Sequence, residues 1–249
     1  MDNLSEAELA FSNGDYDRAI NLCNDIITED PSHTRARTLK AESYLFKGET
    51  EKALFEIDNA LFTNNQNSNA HTVKADILTE IGKKDEALIY YQKAVEYDPV
   101  NYQAYHNRGN LFLKTGDIAR AIRDFNDAIA IRPSQSHSWQ SRAAAYYIAG
   151  VYDSAVEDID RAIQLSPNDA SLYALKCDIF YAAGNYSEAL SVVEEALSRE
   201  PKNGKHYFRK GAILLAMGMK STACANFHRS VELGFSEAQL EIDQYCSNN

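Results

Sequence analysis

The chain has 249 residues, 45% of them apolar, with 36 acids against 25 bases and a formal net charge of −11. That balance argues against nucleic acid, which usually needs a basic stripe, and against anionic lipid surfaces, while no apolar run approaches the roughly 18 residues of a membrane span. The start, MDNLSEAELAFSNGDYDRA, has acids and no basic-plus-apolar order, so it does not read as a secretory leader; a cytoplasmic setting is expected.

Hydrophobic periodicity predicts helices in pairs, each pair joined by a glycine turn. The first pair, residues 1–33, is the least regular, with Asn3 and Ala10 where later pairs carry aromatics. A terminal pair has one face that no neighbour covers, so departures are expected there. Asn13-Gly14-Asp15 makes its turn, and Asp15 or Asp17 can cap the second helix. Residues 34–67 keep Tyr44 and Ala60. The connector that follows, residues 62–69, is polar and lacks Pro; it can be a soft joint or an ordinary solvated turn. Residues 68–101 put His71 and Leu78 at aromatic places, then Tyr91, Ala94 and Pro99.

Residues 102–135, YQAYHNRGNLFLKTGDIARAIRDFNDAIAIRPSQ, show the pattern most fully: Tyr105, Gly109 and Phe112 in the first helix, Ala121, Phe125 and Ala128 in the second, and Pro133 at the end. Residues 136–169 repeat it with Trp139, Ala143, Tyr146, Ala155, Ala162 and Pro167, which makes the only Trp a packing residue. Residues 170–203 carry Tyr173, Cys177, Phe180, Ala189 and Ala196; residues 204–237 carry Tyr207, Gly211, Leu214, Ala223 and Phe227, with Ser230 at a later Ala place. In the tail, 238–249, a Ser236-x-x-Gln239 capping box should start a short helix over the last pair, ending before Ser247-Asn248-Asn249, which are expected to fray.

One step of 34 residues links these places. It connects Gly14, Gly48, Gly82, Gly116, Gly150, Gly184 and Gly218, and it connects Ala19, Ala53, Ala87, Ala121, Ala155, Ala189 and Ala223. A third row, Pro31, Asn65, Pro99, Pro133, Pro167, Pro201 and Phe235, departs from Pro twice; a fourth, Ala7, Ala41, Ala75, Gly109, Ala143, Cys177 and Gly211, is small throughout. Glycine suits a left-handed helix end, small residues suit close helix approach, and the residue before Pro disfavours continued helix.

Aromatic, small, aromatic, then Ala, aromatic and Pro at this period resembles the tetratricopeptide repeat family. The resemblance covers nearly the whole chain. It implies an all-α fold, a right-handed α-solenoid of about seven stacked helix pairs in a single domain, 1–249, with a short C-terminal capping helix. It also implies that first helices line a concave surface that takes extended peptides or partner helices. The family's clamp for a chaperone-tail carboxylate is not expected. Lys205 and Arg209 match its last pair, but Gln140 and Ala144 stand where Lys and Asn belong, and Leu175 replaces the second Asn.

Counted from the small row, the inner-face places change character along the chain. They run acidic first, with Glu42, Asp76 and nearby Glu80, then amide, with Asn107 and Asn110. They end with Tyr147, Leu175, Asp178, Tyr181 and Phe208, rimmed by Lys205 and Arg209. The aromatics serve either as anchor pockets or as packing between repeats.

A basic row, Lys40, Lys74, Arg108, Arg142, Lys176 and Lys210, is expected to pair with acids such as Glu56, Asp124 and Asp158 rather than to form an anion track. Cys23, Cys177 and Cys224 read as core thiols; no CxxC occurs, and together with Cys246 they are expected to stay reduced. The six histidines make no metal constellation, and no catalytic or phosphate-loop signature occurs. The expected function is therefore a non-catalytic protein-interaction scaffold with a protein or peptide partner, without cofactor, nucleic acid or membrane insertion. The alternative is a regulatory or recruiting subunit of an enzyme complex.

Overall fold

The computed structural model describes residues 2–246. The chain folds as two compact units, Met1–Ile131 and Arg132–Asn249. The first unit holds four helix pairs: α1 (Asn3–Ser12) with α2 (Tyr16–Glu29), α3 (Thr34–Phe46) with α4 (Thr50–Thr63), α5 (Ser68–Glu80) with α6 (Lys84–Tyr97), and α7 (Tyr102–Lys114) with α8 (Ile118–Ile131). The second holds three: α9 (Ser136–Ile148) with α10 (Tyr152–Leu165), α11 (Ala170–Ala182) with α12 (Tyr186–Arg199), and α13 (Gly204–Ala216) with α14 (Lys220–Glu232). A 3-10 turn (Ser236–Ala238), a single turn α15 (Gln239–Glu241) and a wide turn (Ile242–Cys246) complete it. Among the described residues there is no strand, and the all-α repeat fold follows the sequence expectation. Ser247-Asn248-Asn249, expected to fray, lie outside the described residues.

The glycine row turns each pair. Gly116 has φ +82°, in the left-handed region, where a Cβ is disfavoured. Around it Thr115 N–H donates to Leu111 O, and Asp117 N–H reaches back to Phe112 O at 2.9 Å, satisfying carbonyls at the end of α7. Asp117 then accepts from Arg120 N–H at 3.0 Å, closing the first turn of α8. In the first pair this role falls to Asp15, which accepts from Arg18 N–H, and not to Asp17.

The small rows set the spacing of the pairs. A Cβ on Gly109 would stand 2.7 Å from the Phe125 ring, and one on Gly211 2.6 Å from Phe227. Ala121, Phe125 and Ala128 are fully buried on α8, as are Ala155, Ile159 and Ala162 on α10.

The aromatic row of the first helices has a second task that its spacing alone did not show. Trp139 Nε1 donates to Pro133 O at 2.9 Å, Tyr173 OH to Pro167 O at 3.0 Å and Tyr207 OH to Pro201 O at 3.3 Å. His71 Nε2 meets Asn65 O at 2.8 Å, and Arg37 Nε meets Pro31 O at 3.1 Å. Each bond spans six residues, so this place favours a ring or chain with a polar tip, and the tip holds the connector carbonyl. The 62–69 connector is tied the same way: besides the His71 contact, Asn67 accepts from Ala70 N–H and Ser68 Oγ donates to Ala94 O.

The basic row pairs throughout, and the acids available decide in which direction. Where the residue 16 places on is acidic, the pair closes within the repeat: Lys40 with Glu56, Arg108 with Asp124, Arg142 with Asp158. Where that place holds Tyr90, Val192 or Asn226, the lysine turns 16 places back, Lys74 to Asp58, Lys176 to Asp160 and Lys210 to Glu194.

Two expectations for the C-terminus are corrected. The Ser236–Gln239 capping box does not form: no side-chain cap is made at the start of the tail, and Gln239 Nε2 donates to Asp243 instead. Cys224 and Cys246 are not reduced thiols but a disulfide, with Cα atoms 5.7 Å apart. Cys224 sits one place past the buried Ala223, on the half-exposed edge of α14, and the tail folds back so that Cys246 meets it. Cys23 and Cys177 are buried free thiols whose pKa burial pushes up to about 12, which suits core residues.

Candidate functional site

In the first unit the acidic inner-face residues converge. Glu42 and Leu45 on α3, Asp76, Thr79 and Glu80 on α5, and Gln103 and Asn107 on α7 line a cleft of about 640 Å³, walled by Phe11, Phe46 and Tyr91. Asp76 accepts from Tyr91 OH and, at 2.8 Å, from Asn107 Nδ2. Burial pushes its pKa up to about 6 against the pull of those two bonds. Burial likewise pushes Glu42 up to about 7, although Arg35 Nη1 at 3.6 Å pulls the other way; Asp76 and Glu8 add to the rise. Arg35 is shared with Glu8, whose carboxylate receives its Nε at 2.9 Å. Glu80 is exposed at the cleft edge. Asn110 is not in this group; its amide meets His106 Nε2 at 3.1 Å.

Phe46 was not read from the sequence as part of the cleft. It is 64% exposed, edge-on to Phe11 with centroids 5.4 Å apart and stacked on Tyr16 at 5.4 Å. It lies one place past Leu45 on the inner-face count, at the very end of α3, where helical periodicity gives a weak signal.

In the second unit the expected aromatics divide. Tyr147 and Leu175 pack on the core around Ala143, Ile159 and Leu172, and Phe208 lies against Phe227 and Phe235 at 5.8 and 5.3 Å. These three take part in packing. Tyr181 is 40% exposed beside Tyr186. Its phenol is held above the ordinary value by burial first, then by Tyr186, Glu241 and Tyr245. Arg209 forks onto Asp178, Nε to Oδ1 at 2.7 Å and Nη2 to Oδ2 at 2.9 Å, while Lys205 is exposed. The basic rim expected for an incoming carboxylate is thus half occupied by the chain's own acid. Asp178–Arg209 and Asp76–Asn107 share one spacing, 31 residues; that step between successive first helices is the signal by which both pairs could have been found.

Among the described residues no three His, Cys, Asp or Glu side chains converge as metal ligands, and no helix is long and apolar enough to cross a membrane.

A family model described as Tetratricopeptide repeat matches residues 10–77 and 146–219, and a second with the same description matches 72–136 and 106–170. No curated protein matches the sequence. Similar solved structures include a tetratricopeptide repeat protein from Parabacteroides merdae, 20% identical with a TM-score of 0.64 over 96% of this chain and 94% of that one. Pseudomonas aeruginosa pilF is 19% identical with a TM-score of 0.72 over 85% and 98%. YrrB, described as having an unusual peptide-binding site, is 17% identical with a TM-score of 0.64 over 76% and 97%. At these identities the likeness is one of fold.

Proposed function

Since this chain belongs to the tetratricopeptide repeat family, we propose that it is a non-catalytic interaction scaffold that binds a peptide or extended partner segment along its first helices. The observation that carries the reading is the first unit's cleft. Glu42, Asp76 and Glu80 bring carboxyls to one recess beside the exposed Phe46 ring. Carboxylates and an aromatic face together suit a lysine or arginine side chain on the partner. In the second unit the partner's apolar or aromatic residue would lie on Tyr181, with Lys205 offering the one exposed cation of the expected rim.

The second reading, a recruiting subunit of a multiprotein enzyme complex, would use the second helices instead of the first. Phe55 and Phe62 on α4 and Ile89 on α6 are 65%, 93% and 57% exposed on second helices. A partner meeting the second helices would cover these side chains.

The test is pull-down with identification of the bound protein, then calorimetry on its binding segment. Tyr181→Ala should weaken binding by about 2 kcal/mol or more as an anchor. Glu42→Lys should weaken it by about 0–1 kcal/mol, mostly at low salt. Phe62→Ser should leave peptide affinity unchanged. If Phe62→Ser loses as much affinity as Tyr181→Ala, the inner face is not the site and the second reading takes its place.

A further inference from the structure

We infer that the Cys224–Cys246 disulfide is a redox latch: it holds the C-terminal segment over the end of the second unit, and a dithiol reductant releases that segment. The segment covers an apolar floor. Ile242 and Cys246 pack with Leu214, Leu215, Phe208, Phe227 and Val231, and Ala238 is fully buried.

Apart from that packing, the disulfide is the one covalent tie between the segment and α14. The segment is one continuous helical run, Ser236 to Cys246, whose turns widen along its length, and a run this short does not sustain a helix by itself. Gln239 and Gln244 spend their side-chain amides inside the segment, on Asp243 and Tyr245. Leu240 is 73% exposed. Only Ala238 and Ile242 are buried, and two such side chains are few to offset the entropy of ordering the whole segment. The disulfide closes a loop of 22 residues and removes much of that cost from the open state. Cys224 and Cys246 are both half-exposed, so a small reductant can reach the bond. The other two thiols are buried, with pKa pushed up to about 12, and stand apart from the chemistry.

The exchange balances without further reactants. One thiolate of the dithiol attacks a sulfur of the Cys224–Cys246 bond and forms a mixed disulfide. The second thiolate displaces the protein thiolate and closes the dithiol's own disulfide. Two electrons and two protons pass from the dithiol to the protein, which ends with two thiols.

The test uses the full chain, oxidised, reduced with dithiothreitol, and as the Cys246→Ser variant. Alkylation under denaturing conditions with mass spectrometry should count two thiols in the oxidised chain, at Cys23 and Cys177, and four after reduction. Amide exchange at residues 236–246 should then be faster by about tenfold or more in the reduced chain and in the variant. Binding of an anilinonaphthalene dye to the uncovered floor should rise, and far-UV circular dichroism should keep its helical signal. Equal exchange in the oxidised and reduced chains overturns the inference. So does a chain that keeps four thiols after treatment with oxidised glutathione. Loss of the helical signal on reduction overturns it too, because the bond would then be a staple for the whole unit. Should Cys246→Ser fail to fold, reversible reduction of the native chain decides alone.

Discussion

Gly109 and Gly211 stand where two helices approach until a ring of one meets the backbone of the other. Gly211→Ala would drive a methyl to 2.6 Å from Phe227, and overpacking of this kind costs about 1–3 kcal/mol. Gly116→Val acts differently, since nothing lies within 4 Å of its added Cβ. There the cost is conformational, about 1–2 kcal/mol or more for a branched residue at φ +82°. Denaturant unfolding should show both losses; an unchanged midpoint in either variant would contradict the packing described. The Arg108–Asp124 fork is the other residue-scale test. Its two side chains are 11% and 7% exposed, and Asp124→Ala should cost about 3–5 kcal/mol because it strands a buried guanidinium. Replacing both, Arg108→Met with Asp124→Leu, should recover much of that loss; if it does not, the pair contributes more than mutual neutralisation.

At the scale of the element, each helix was legible where one physical demand dominates the residue type. Left-handed turns demand glycine, and close approach demands a small side chain, so both rows could be read without coordinates. The aromatic row answers two demands, packing and a bond to the connector carbonyl. Spacing alone shows the first; the choice of Trp139, Tyr173 and Tyr207 over Phe is the trace of the second. Charges were legible as partners but not in direction, because the 16-residue step works forward and backward. The clustering of Glu42 and Asp76 could be counted from the sequence, whereas their burial could not. That burial makes a pH prediction. A carboxyl whose folded pKa is raised holds an extra proton in the folded state, so stability declines as pH rises through the gap between its unfolded and folded values. For Glu42 the gap runs from the ordinary 4.5 to about 7, and for Asp76 from 3.8 to about 6. Melting temperature measured from acid to neutral pH should carry this decline, and Glu42→Gln should flatten it. A variant with the wild-type slope would show that the Glu42 proton is not the one that counts.

For the whole molecule, the all-helical repeat was readable from four rows in one register, while the tail was not. Residues past 235 fall outside the 34-residue step, so no row constrains them. A capping box was a fair expectation from Ser236 and Gln239 alone, and the fold-back that joins Cys246 to Cys224 has no local signal. The same register governs what the chain can gain or lose. Removing residues 68–101 would join Asn67 to Tyr102. Asn67 already caps α5 by accepting from Ala70 N–H, as Asn101 caps α7 by accepting from Ala104 N–H, so the new junction would meet the capping residue it needs. Arg108 would keep Asp124 ahead of it and find Asp58 at the backward place that Gln92 now holds. The shortened chain should keep its helical content per residue and still melt cooperatively. A deletion of half that length would place a second-helix face where a first-helix face is required, and should fail to fold. Length in this protein is counted in whole turns of a ratchet: an editing event, natural or designed, is tolerated when it moves the chain by one tooth and rejected between teeth.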